Sequence, residues 1–190
     1  MITFVSDYSL IMTERQRKIL DTALQLFANK GFDNTSTAAI AKKAEVSEGL
    51  IFRHFKNKHG LLNALMEDVE TRINIIFAPV IAEKDPPKII QRFISIPFEV
   101  DAGQYDFWKL QYKLKWQPEY NNPSKMKPVA DKLTGAFEKL GYANPDKEAL
   151  MLIHLLDSIA TETLKGNINE KDKDEYRKFL LKKYLQNKST

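Results

Sequence analysis

Residues 35–55 read Thr35-Ser-Thr-Ala-Ala-Ile-Ala-Lys-Lys-Ala44, then Glu45-Val46, then Ser47-Glu-Gly-Leu-Ile-Phe-Arg-His-Phe55. Two short helical runs flank a tight turn. Thr35, Ser36 and Thr37 precede the first run and Ser47 the second, where hydroxyls cap the free N–H groups of a helix start. Glu48 falls in a first turn, where the macrodipole favours an acid. Ile40, Ala41, Ala44, Val46, Leu50, Ile51 and Phe55 supply one small shared core, and Ala41 and Ala44 let the second run pack close. This spacing predicts a helix-turn-helix, the motif whose second helix enters the DNA major groove. A plain pair of packed helices is the competing reading.

The surrounding chain is helical in the same way. Residues 14–29 place Ile19, Leu20, Ala23, Leu24, Leu26 and Phe27 at helical spacing, with Gly31 as the stop. A long helix is expected from about Lys58 to Phe77, and others over 87–102, 104–116, 128–140, 145–165 and 171–187. Pro118, Pro123 and Pro128 make 117–128 a loop. No alternating strand pattern of any length occurs. The fold class is therefore all-α, with about nine helices: a three-helix N-terminal domain over 13–60, a helical domain over 61–190, and an extension over 1–12.

Composition narrows the chemistry. The 190 residues contain no Cys, which excludes thiolate nucleophiles and Cys-ligated metals. The seven glycines never fall closer than six apart, so neither a dinucleotide fingerprint nor a P-loop can exist. With three His and no H-E-x-x-H, G-x-S-x-G or EF-hand loop, no catalytic or metal site is expected. An enzyme would need a carboxylate pair assembled only in the fold. The longest stretch without a charged residue is ten, Ile73 to Ala82, too short for a membrane span. The first eleven residues do not read as a signal peptide, so a cytoplasmic protein is expected. Residues 13–60 hold nine Lys/Arg against five acids, which accounts for the whole net charge of +4. Such asymmetry suits a polyanion partner.

Gly31-Phe32, Thr35-Ser36, Ile40-Ala41, Ala44, Val46-Ser47, Gly49, Phe52, His54-Phe55, Lys58 and Leu61-Leu62 together resemble the DNA-binding domain of the tetracycline-repressor (TetR) family. The likeness covers residues 13 to about 66. It implies double-stranded DNA as partner, with Glu48, Gly49, Leu50 and Arg53 facing base edges and His54, Lys56 and Lys58 on the backbone. Thr35, Ser36, Thr37 and Ser47 lie where hydroxyls and N–H groups bind phosphate, or serve only as caps. Gly49 lets the backbone approach the groove, or is a packing glycine. Arg53 reads guanine or touches a phosphate. His54 contacts the backbone, or is bonded locally. Two departures matter: Phe52 stands where the family has a phosphate-reaching Tyr, and Glu45 where it has Gly. The latter is tolerable if the turn avoids positive φ.

For the rest of the chain the resemblance implies a small hydrophobic or amphipathic effector and a homodimer on a palindromic operator. Eight of the 20 aromatics fall in residues 93–120, more than one amphipathic helix needs. They either form core or line a cavity. The candidate wall is Met66, Ile73, Phe93, Phe107, Trp108, Tyr112, Trp116, Phe137, Met151, His154 and Leu155. The run 149–156 is apolar nearly all round, so one face can meet a second copy. Ala149, Leu152, Ile153, Leu156, Phe179 and Tyr184 are the candidate dimer contacts. The expected protein is a dimeric one-component regulator, most simply a repressor; a ligand-independent DNA-binding protein is the alternative.

Overall fold

The computed structural model describes residues 12–114 and 123–186. Among them are nine α-helices and no strand, so the all-α class stands. Helix α1 (Glu14–Lys30) begins at a reciprocal cap between Thr13 and Gln16 and ends at Gly31, whose φ of 88° returns its N–H to the Phe27 carbonyl. Helices α2 (Thr37–Ala44) and α3 (Glu48–Phe55) follow. Helix α4 runs from Lys58 to Ala82, five residues past the expected end at Phe77, and carries Pro79 within it. A proline this close to a C-terminus removes only one hydrogen bond of the ladder.

The remaining helices are α5 (Pro86–Ser95), α6 (Tyr105–Leu114), α7 (Lys127–Lys139), α8 (Pro145–Leu164) and α9 (Glu170–Leu185). Helix α5 stops seven residues short of its expected end. Pro97 has no N–H to give to the Phe93 carbonyl, which accepts from the Ile96 N–H instead, and the chain continues as a single 3-10 turn over Ile96–Phe98.

The chain divides into two compact units, and the division is not contiguous. One holds the described residues up to Asn74 together with those from Gly103 to Leu114; the other holds Ile75–Ala102 and the described residues from Pro123 onward. In the first, Ile19, Leu20, Phe27, Ile40, Ile51, Leu61 and Leu65 are fully or almost fully buried around Phe107 and Leu110 of α6. Each such side chain contributes about 1.5–3 kcal/mol. Asn29 of α1 also donates to Asp106 at 3.3 Å. Asp68 of α4, almost completely buried, accepts from Arg17 of α1 at 3.2 Å and Arg72 at 2.7 Å. The second unit packs Ile90, Ile94, Leu133, Phe137, Leu152 and Leu180 into its own core.

Candidate nucleic-acid interface

The starts of α2 and α3 are tied together. Ser36 caps α2, accepting from the Ala39 N–H at 3.1 Å, and Thr37 donates its hydroxyl to the Glu48 carboxylate at 2.6 Å. Ser47 occupies the N-cap position of α3 in an extended conformation, but its side chain makes no capping bond. The expected capping role of Ser47 is thus not realised, and its hydroxyl stays exposed. Thr35 needs a correction. It is 2% exposed and donates to the Gly31 carbonyl at 2.8 Å, which takes it out of reach of a phosphate.

Helix α3 buries Ile51 and Phe55 and turns Gly49, Phe52 and Arg53 to solvent, with Leu50 and His54 half-buried. A Cβ built on Gly49 would meet no protein atom within 4 Å, and its backbone is not left-handed. Nothing inside the fold demands glycine there. The packing reading of Gly49 therefore fails, and the exposed surface is left open to close approach. His54 Nδ1 lies 3.3 Å from Gln16 Nε2. Gln16 Oε1 already accepts from the Thr13 N–H and hydroxyl, so its amide nitrogen is the donor and His54 Nδ1 the acceptor. That bonding assigns the imidazole proton to Nε2, the other ring nitrogen.

Two turn residues carry positive φ without being glycine. Glu45 sits at φ 56°, ψ 44°, so the turn does not avoid the left-handed region, and the condition under which Glu was tolerable in place of Gly is not met. Lys18 of α1 bonds the Glu45 carboxylate at 2.7 Å and holds its carboxyl below the usual range. Lys56 sits at φ 66°, ψ −48°, with the Asn57 N–H donating across it to the Phe55 carbonyl at 2.8 Å. This is a γ-turn of the strained hand. Lys58 Nζ donates to the Phe32 carbonyl at 3.0 Å and lies 4.2 Å from the centre of the Phe32 ring. Its remaining two protons have no fixed acceptor in these contacts. Lys42 and Lys43, exposed in the last turn of α2, extend the basic surface. They count in the charge excess of residues 13–60 but occupy no position of the motif.

The other two residue sets are partly exchanged. Phe93 and Phe137 fill the core of the second unit, and Phe107 that of the first. Met151 (64% exposed), Leu155 and His154 lie on the outside of α8 and cannot line an interior wall. Conversely Ala149, Leu152, Leu156 and Tyr184, expected at a dimer contact, are buried within their own unit, because they occupy the inner face of α8 and the inward side of α9. Ile153 is half-buried, and Phe179 is 62% exposed. The outward apolar surface is instead Leu150, Met151 and Leu155 on α8 and Tyr176 and Phe179 on α9. Met66, Ile73, Trp108 and Tyr112 remain half-buried in the first unit. Trp116 lies outside the described residues.

Comparison with known proteins agrees with this geometry. Residues 19–65 match the family model described as bacterial regulatory proteins, tetR family. The uncharacterized HTH-type transcriptional regulator YvkB of Bacillus subtilis (strain 168) is 53% identical over 55 residues, 29% of each chain. Sequence similarity to such curated relatives thus reaches only about a third of their length. Similarity of fold is broader. A TetR-like transcriptional regulator from Rhodococcus sp. RHA1 superposes with a TM-score of 0.73 at 21% identity, covering 92% of this chain and 97% of that one. A transcriptional regulator from Saccharomonospora viridis, solved in complex with choline, gives 0.69 at 21% identity over 93% and 98%. These relatives are regulators rather than enzymes.

Proposed function

Because the chain belongs to the TetR family of bacterial regulators, we propose that it works as a dimeric one-component repressor in the cytoplasm. On this reading it holds a palindromic operator with α2 and α3 and leaves it when a small apolar or amphipathic effector binds. The observation that carries the reading is the division of α3: Ile51 and Phe55 go inward, while Gly49, Phe52 and Arg53 stand free on the other side. A structural helix has no need of that exposed set, and a recognition helix does. Ser36, Ser47, Lys42, Lys43, Lys56 and Lys58 supply phosphate contacts around it.

The dimer would form on Leu150, Met151, Leu155, Tyr176 and Phe179, an apolar surface that a monomer leaves wet. Two copies related by a two-fold axis would present two recognition helices to a palindrome. Effector action would pass through α4, which starts at Lys58 beside the helix-turn-helix and carries Met66 and Ile73. An effector preferring one arrangement of α4 by about 1.4 kcal/mol changes operator occupancy about tenfold.

The test is selection of duplex DNA from a random pool by the purified full-length protein. A two-fold symmetric consensus, with affinity falling steeply as salt rises, is the expected result. Binding without sequence preference at any salt would sink the repressor reading.

A further inference from the structure

Among the described residues, two buried donors on α6 have no acceptor: the Trp108 indole N–H and the Gln111 amide nitrogen. They lie three residues apart, on the same side of the helix. Phe107, Leu110 and Leu114 occupy the side that enters the core. A buried donor left unmade is costly, and folds rarely keep two together without a reason. The Trp108 ring stands edge-on to the Phe107 ring, with centroids 5.1 Å apart.

We infer that Trp108 and Gln111 form the polar end of the effector site, and that they receive one uncharged acceptor, a carbonyl oxygen carried on an apolar frame. This rests on the effector reading above and adds the chemical class. A carbonyl oxygen has two lone pairs and can accept from two donors on one side of a helix. The two unpartnered groups present hydrogens and not lone pairs, which disfavours a cation. A carboxylate would lose its water for two neutral donors only, too little to hold a charge. Two cations of the same unit are already engaged: Arg72 is paired with Asp68 and lies over the Phe107 ring, and Lys113 donates to the Ala28 carbonyl. Half-buried Met66, Ile73 and Tyr112 supply apolar surface in the same unit.

The experiment is calorimetric titration of the full chain with 2-decanone, decanoate and decyltrimethylammonium, beside Gln111→Met and Gln111→Glu. The ketone should bind about tenfold or more tightly than either ion. Both variants should lose about tenfold of ketone affinity, the scale of one hydrogen bond between buried partners. Gln111→Met should melt no lower than the parent when ligand-free, since it removes a donor that no group among the described residues accepts. Equal binding of all three compounds, preference for an ion, no ketone binding up to its solubility, or a lower melting temperature for Gln111→Met would each overturn the inference. Affinity for the selected DNA is measured on the same samples without ligand; its absence from the parent protein would fault the regulator reading instead.

Discussion

Glu45 is where a single residue departs most clearly from what its backbone asks. A side chain in the left-handed region costs about 1–2 kcal/mol, which glycine avoids; glycine in turn gives back about 0.5–1 kcal/mol in chain entropy. The Lys18 contact offsets little, because both groups are exposed. Glu45→Gly should therefore be neutral or stabilising by up to about 1 kcal/mol. Glu45→Val, β-branched and ill-suited to positive φ, should destabilise by about 1–2 kcal/mol. Urea midpoints of the three proteins decide it. If Val matches Glu, the left-handed turn is wrong. The sequence marks Glu45 as a departure from the family's Gly, yet residue type alone does not give the sign of φ. Thr35 was illegible for a similar reason: three adjacent hydroxyls look alike until the fold points one of them at the Gly31 carbonyl.

Glu83 offers a residue-scale test by pH. Its carboxylate accepts from Arg92 at 3.0 Å and from the Asp85 and Lys84 N–H groups, which together lower its pKa to about 2. A depressed carboxylate contributes stability above its unfolded value near 4.5 and loses it as pH falls toward 2. Glu83→Gln should lower the melting temperature at pH 7 and flatten its fall between those two values. A variant that melts in parallel with the parent across that window would show that the Arg92 contact contributes nothing.

At the scale of elements, α3 and the start of α4 share the work of binding. Arg53→Ala should change which bases are selected, by about 1–3 kcal/mol for a lost bidentate contact. Lys58→Ala should weaken all sequences alike and flatten the salt slope by about one unit. It should also cost about 1 kcal/mol of fold stability, because the Phe32 carbonyl loses its donor. A salt slope unchanged in Lys58→Ala, with stability lowered, would make Lys58 a brace for the α1–α2 loop and not a phosphate contact. The elements themselves were largely legible, since helical periodicity, caps and Gly31 are local signals. Helix ends were less so. Helix α4 runs through Pro79 because a late proline leaves most of the ladder intact, whereas α5 ends early because Pro97 has no N–H to continue the ladder.

At the scale of the whole molecule the question is which face of α8 meets a second copy. Leu150, Met151, Leu152, Ile153, Leu155 and Leu156 are apolar at nearly every angle, so periodicity could not choose between faces. The fold chooses: Leu152 and Leu156 enter their own core, while Met151 and Leu155 stay outside beside His154. That choice separates two kinds of variant. Met151→Glu and Phe179→Glu place a charge on an exposed surface, so each subunit should keep its fold and melt close to the parent at matched dilution. If that surface joins two copies, both should sediment as monomers at micromolar concentration. They should also lose operator affinity, because one recognition helix alone gives up the second half-site, about 34–36 Å away. Leu152→Glu instead buries an unpaired charge and should unfold the second unit, not merely split a dimer. A Met151→Glu, Phe179→Glu double variant that remains dimeric would place the two-fold axis elsewhere. So would a parent protein that is monomeric at micromolar concentration yet binds a palindrome tightly.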